Sequence, residues 1–380
     1  MKRRGEARGL RLVGHSDLNG FGDGMQVVRR GDALYVGHFG LSGMGTTVLD
    51  VSDRTRPRVV RQWPAPPGSH THKVQVADGL LLVNEEQFRG GEPWTGGLVV
   101  YDLADPFDPR RIGRLDLGGK GFHRIVWTGG RWAHASAIPE GFDDRIWVTV
   151  DLDDPERPVE AGRWWWPGEA PPGKRYAAHH ALLDGEVAYL GYGDAGMVVL
   201  DVSDMTAPRQ LGHLGWEPGG DTHTCLPLPG RGLVVATDEA LANRCDEEQK
   251  LVRVLDVSDP ASPRVVGACP VPEGDFCERG LRFGPHNLHE NRAGSYRSER
   301  IVFVTYFNAG VRVFDLADPA APVEVAYWVP ETPDGQEDAQ SNDLWVDADG
   351  TVFVTDRIGG GLYVLEPDEE LAALLRDAAA

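Results

Sequence analysis

The chain has only four cysteines, 38 Lys and Arg against 58 Asp and Glu, and no long apolar run. Each shortage excludes something. The cysteines all lie between Cys225 and Cys277. They are too few for a disulfide scaffold, and no CxxC pair offers a zinc knuckle. One local disulfide or a soft-metal contact stays open. A net charge of −20 argues against nucleic acid and anionic membrane surfaces as partners. No stretch nears the ~20 apolar residues of a membrane span. The opening Met1-Lys-Arg-Arg-Gly-Glu6 is not followed by the apolar core of a secretory signal, so a cytoplasmic protein is expected. GxSxG and HExxH are missing too, and Gly359-Gly-Gly361 leads into no helix that could cradle phosphate.

What is present is a repeat. Asp50-Val-Ser-Asp53 with Pro57 returns as Asp102-Leu-Ala-Asp105 with Pro109 and Asp151-Leu-Asp-Asp154 with Pro158. It continues as Asp201-Val-Ser-Asp204 with Pro208, Asp256-Val-Ser-Asp259 with Pro263, and Asp315-Leu-Ala-Asp318 with Pro322. A worn copy stands at Leu365-Glu366-Pro367-Asp368. A spacing of about 50 residues between strand-rich units points to a β-propeller.

Each unit reads as four short strands. The third is apolar throughout, as in Val198-Val-Leu-Asp-Val202, which suits a strand covered on both faces. The Asp-x-x-Asp segment makes the turn into the fourth strand, and the proline that opens this strand suits an outer edge. The expectation is an all-β chain, with residues 1–380 as a single seven-bladed β-propeller. The last unit lacks its fourth strand, and Gly9-Leu-Arg-Leu-Val-Gly14, residues 9–14, is expected to supply it. Residues 369–380 read as a short amphipathic tail helix.

Val48-Leu-Asp-Val-Ser-Asp53, Val198-Val-Leu-Asp-Val-Ser-Asp204 and Gly359-Gly-Gly-Leu-Tyr-Val-Leu-Glu366 resemble the LVIVD-repeat family of β-propellers. The resemblance spans roughly residues 9–366. It implies the fold but little about activity, because propellers host many unrelated functions.

A second signal lies at the start of the first strand of each unit. His72, His123, His180, His223 and His286 align there, with His179 beside His180, Met25 in the first unit and Asp343 in the seventh. In a propeller this strand lines the central channel, so five units would aim imidazole at one axis. His-only ligation with few thiolates suits a divalent iron, copper or manganese ion in an open site better than a structural zinc. The ends of the second strands add Glu85-Glu86, Asp238-Glu239 and Tyr306. A carboxylate there can fix a ligand tautomer, with His72 facing Glu85 or Glu86 and His223 facing Asp238 as the expected pairs. The layout is similar to carotenoid-cleavage oxygenases and to the selenium-binding-protein/methanethiol-oxidase family, whose propellers hold iron or copper by His.

The leading expectation is a metal-dependent oxidoreductase acting on a small organic substrate. Asp343, Glu85 and Tyr306 are the candidate catalytic bases. Lys73, Arg124, Arg279, Arg282 and Arg357 lie near enough in the repeat to hold an anionic substrate. A metal-dependent lyase or hydrolase is the second reading. A non-catalytic interaction scaffold is the third.

Overall fold

The repeated aspartate is a turn device with two grips. Asp50 accepts from the Ser52 amide at 3.0 Å and holds the Arg58 guanidinium at 2.8 Å. Asp53 accepts from the Thr55 amide at 3.0 Å. The same grips recur at Asp102 with Ala104 and Arg110, at Asp201 with Ser203 and Arg209, and at Asp256 with Ser258 and Arg264. The turn chemistry follows the sequence expectation. The arginine eight residues later is an addition, and it staples the outer strand to the turn.

The computed structural model describes residues 3–88, 93–218 and 220–380. The described strands form five sheets of four, nine, eight, four and four strands. The smallest unit is the up-and-down meander Gly24–Arg30, Ala33–His38, Met44–Asp50 and Arg58–Pro64. The nine-stranded sheet joins two such meanders through a single pairing of Gly121 with Glu86. The eight-stranded sheet joins two through the parallel pairing of His180 with Thr224. Third strands such as Met197–Asp201 are buried almost throughout, whereas fourth strands such as Arg58–Pro64 are largely exposed or half-buried. No described helix is long and apolar enough to cross a membrane.

Neighbouring meanders dock through glycine. Gly113, Gly162, Gly212 and Gly267 lie in fourth strands, each beside a register shift. A Cβ at each would run into the turn of the next meander, at Pro155, Thr206, Pro260 and Pro319 respectively. For Gly162 the contact with the Thr206 carbonyl would be 2.6 Å, too short for any carbon. Gly14, on the N-terminal strand, meets the Arg54 carbonyl of the first meander in the same way.

That N-terminal strand, Leu10–Ser16, pairs antiparallel with Gly361–Pro367, with Leu12 opposite Leu365. It occupies the place foreseen for residues 9–14 and extends two residues further. Glu6–Arg8 adds a strand to the outer edge of Val323–Val329, which the repeat had not suggested. The tail helix Glu369–Asp377 begins at Asp368, whose carboxylate accepts from the Leu371 amide at 2.9 Å. Leu371 and Leu375 bury its apolar side. Cys245 and Cys277 form a disulfide, while Cys225 and Cys269 are free and buried.

Candidate metal centre

The first strands and the loops leading into them bring six imidazoles into one arc. In order they are His70, His72, His123, His179, His223 and His286. Successive ring centroids are 4.0, 5.0, 4.8, 3.8 and 4.3 Å apart. The contacts continue past both ends. Phe307 stacks on His286 at 4.7 Å. The Arg357 guanidinium lies 5.8 Å from the Phe307 ring and 4.5 Å from the Phe39 ring. Phe39 is 6.2 Å from His70, so the series returns to its start. All six imidazoles are buried except His123, whose side chain is 20% exposed.

Two carboxylates serve this arc. Glu86 Oε2 lies 2.9 Å from His70 Nε2, 2.8 Å from His123 Nδ1 and 3.9 Å from His72 Nε2. Glu239 lies 3.6 Å from His286 Nε2 and 4.0 Å from His223 Nε2, and Arg282 holds its Oε1 at 2.9 Å. Two sets, the buried His70–His72–Glu86 and His179–His223–Glu239 with Glu239 half-buried, bring their ligand atoms within 4.8 Å of one another and could each hold a metal.

The hydrogen bonds distinguish the two sets. His70 spends both nitrogens on oxygen acceptors, Glu86 and the Phe39 carbonyl at 3.2 Å. Glu86 in turn is taken by two imidazoles. Only His72 Nε2 is left without a partner there. Around Glu239 the arrangement is more open. His286 Nδ1 donates to the Asn342 carbonyl at 2.9 Å, and His223 Nδ1 lies 2.7 Å from the Thr224 hydroxyl. Each contact leaves an Nε2 facing Glu239 with no hydrogen bond among the described residues. Among the described residues, the arc nitrogens that are buried and unpartnered are His72 Nε2 and His179 Nδ1, and such a lone pair costs free energy unless a proton donor or metal ion meets it.

Electrostatics keeps these groups ready to ligate. Burial pushes His72, His179, His223 and His286 well below the ordinary imidazole value, and neighbouring cations and imidazoles add to the shift. His123 is pushed down to about 3 by burial and then by Arg145. Burial alone would raise the Glu86 carboxyl, but His123 and His70 hold it well below the usual range. Neutral imidazole beside ionised carboxylate is the protonation state a divalent ion requires.

A family model described as LVIVD repeat matches residues 178–213 and 246–271. Those two segments are LVIVD repeats. A search of curated protein sequences finds no match. Among solved structures, this chain is similar to the crystal structure of the computationally designed Ika8 protein, at a TM-score of 0.51 and 11% identity. That likeness covers 93% of this chain and 97% of the other, and it concerns the fold alone.

Of the five expected ligands, four join the arc: His72, His123, His223 and His286. His180 does not. Its Nε2 lies 3.1 Å from Glu290 and its Nδ1 lies 3.1 Å from the Thr224 hydroxyl, while His179 takes the place in the arc. His70 was not foreseen, because it sits in the two-residue strand Ser69–His70 outside the aligned position.

The expected bases are also placed elsewhere. Glu85 is held by Arg114 at 3.0 Å and by the Thr95 hydroxyl at 3.2 Å, and its neighbour Glu86 meets the imidazoles instead. Asp238 pairs with Arg253, Trp216 and Thr222, and Glu239 stands where Asp238 was expected. Tyr306 lies in an apolar cluster with Phe276 and Cys269. Asp343 belongs to a second buried cluster, where Arg124 bridges it at 3.2 Å to Glu290 at 3.0 Å. Lys73 is buried as well, and burial followed by Arg124 pushes its amine down to about 7. Arg279 is bound to Asp275 and Glu6.

Proposed function

We propose that this chain is a metalloenzyme, a seven-bladed β-propeller with one divalent ion held on its axis by His179, His223, His286 and Glu239. The propeller reading is supported by the serial docking of each glycine onto the next turn and by the pairing of Leu10–Ser16 with the last sheet. The metal reading rests on one observation above the others: two imidazole Nε2 atoms face the same carboxylate, that of half-buried Glu239, without hydrogen bonds. Two of these histidines with Glu239 would match the two-histidine, one-carboxylate donor set of non-haem iron oxygenases, with the third imidazole as an added ligand. An oxidoreductase acting on a small organic substrate is therefore the preferred activity, with iron ahead of copper and manganese. A bound ion of this kind supplies redox chemistry at its open position.

The chain's own residues supply the rest. Thr224 and the Asn342 carbonyl orient two ligand rings. Arg282 fixes the Glu239 carboxylate. Burial of the arc excludes bulk water. Asp343, Glu85 and Tyr306 face other partners, so Lys73 is the better candidate for a base near the arc.

The same donor set also serves catalytic zinc. With Lys73 close to neutrality at physiological pH, a metal-dependent lyase or hydrolase is the second reading. Elemental mass spectrometry on protein purified without tag or chelator separates the cases. About one equivalent of iron, copper or manganese supports the oxidoreductase, and zinc with oxygen-independent activity supports the second reading. No metal after reconstitution with each ion leaves a protein-binding scaffold and sinks both. The expected cytoplasmic location has its own test, since reducing thiols there would open the Cys245–Cys277 bond. The bond surviving alkylation of intact cells would contradict it.

A further inference from the structure

Most described arginines near the arc are spoken for. Arg124 holds Asp343 and Glu290, and Arg282 holds Glu239. Two are not. The Arg357 guanidinium makes no hydrogen bond or ion pair among the described residues. It lies instead over Phe39 at 4.5 Å and near Phe307 at 5.8 Å, closing the circle between His286 and His70. Arg145 comes from another part of the circle and is close enough to His123 and His179 to depress both. Its nearest carboxylate oxygen, on Asp144, is 3.9 Å away, and Asp144 is already engaged by Arg175 at 2.7 and 2.8 Å. Its Nε is buried and unpartnered.

Neither guanidinium is held in a close ion pair, although Glu86, Asp144 and Glu239 act on Arg145, and Glu239 and Asp356 on Arg357, at longer range. Aromatic surface lies beside Arg357. Phe39 and Phe88 are half-buried, 5.1 Å apart, and Phe88 stacks on His70 at 4.5 Å. Planar guanidinium matches a planar carboxylate through paired N–H donors, and aromatic walls favour an apolar body. A phosphate would call for main-chain amides at a helix start or glycine-rich turn, and no such device is seen at the arc among the described residues.

We propose that Arg357 holds the carboxylate of an organic acid beside the imidazole arc, with its apolar body against Phe39 and Phe88. This rests on reading the arc as the reactive site and names the substrate class that site takes.

Calorimetric titration with benzoate and hexanoate tests it, using benzyl alcohol and inorganic phosphate as controls. Both acids are expected to bind in preference to the controls, and Arg357→Gln should weaken benzoate by about tenfold or more. Arg357→Lys should retain part of the affinity, which guards against a misfolded Gln variant. Arg209→Gln, on an exposed pair with Asp201, should change nothing. Saturable binding of neither acid at millimolar concentration, wild-type benzoate affinity in the Arg357→Gln variant, or phosphate binding in place of benzoate would overturn the proposal. Metal content is measured on the same samples. Arginine-dependent benzoate binding without metal would refute only the metal reading, and metal without acid binding would refute only this one.

Discussion

His179 and His180 are adjacent in the chain yet serve different clusters. His179 Nε2 lies 3.1 Å from His123 Nε2 in the arc, whereas His180 Nε2 lies 3.1 Å from Glu290. Adjacent residues entering a strand face opposite ways, so one of the pair had to leave the arc. His180→Gln should therefore keep the metal while lowering the melting temperature, and His179→Ala should lose metal with less cost to the fold. Equal metal loss in both variants would contradict this division.

Thr224 ties the two clusters together, because its hydroxyl lies 2.7 Å from His223 Nδ1 and 3.1 Å from His180 Nδ1. Removing a partner that orients a ligand typically costs ~10–100-fold in metal affinity. Thr224→Val should show a loss of this order in a competition titration against a chromophoric chelator. Unchanged affinity would mean that His223 is not a ligand.

Acid should destabilise the metal-free protein well above the carboxylate range. Burial pushes His134 to about 4, His180 to about 3 and His289 to about 4. In the unfolded chain imidazole titrates near ~6.5, so between these limits the unfolded state binds more protons. Stability is thus complete above ~6.5 and falls as pH drops toward the folded values. Glu86 and Glu290, held low in the fold, add to the loss once pH enters the carboxylate range. The melting temperature of metal-free protein, followed from pH 7.5 to 4.5, should hold steady at first and decline below ~6.5. A flat profile would contradict buried, neutral imidazoles.

Much of the fold was legible because turn chemistry is local. Asp50, Asp102, Asp201 and Asp256 announce their turns through neighbours two residues away. The imidazole alignment was legible for the same reason, since equivalent positions in repeats converge. What failed was one-residue discrimination. Glu85 and Glu86 are consecutive in one strand and face opposite sides, as do Asp238 and Glu239 at the end of another. The sequence shows the pair but not which member the sheet turns inward. His70 lies outside the aligned position and gave no signal. The free state of Arg145 and Arg357 depends on which acids other segments bring, which only the tertiary arrangement reveals.

The glycine contacts carry a stability prediction. Gly162→Ala would place a carbon 2.6 Å from the Thr206 carbonyl and 2.8 Å from that of Met205. Forced displacement of packed backbone costs ~1–3 kcal/mol. Urea unfolding of this variant should show a loss in that range, and a neutral result would mean that adjacent meanders do not pack this closely.

The central claim is that His179, His223, His286 and Glu239 hold one metal ion. Its most direct test is metal stoichiometry in the His223→Ala/Glu239→Gln double variant beside the wild type, both reconstituted and stripped of loose ions. About one equivalent in the wild type and almost none in the folded double variant is the expected result. Full occupancy of the double variant would contradict the assignment and move the ion to His70, His72 and Glu86.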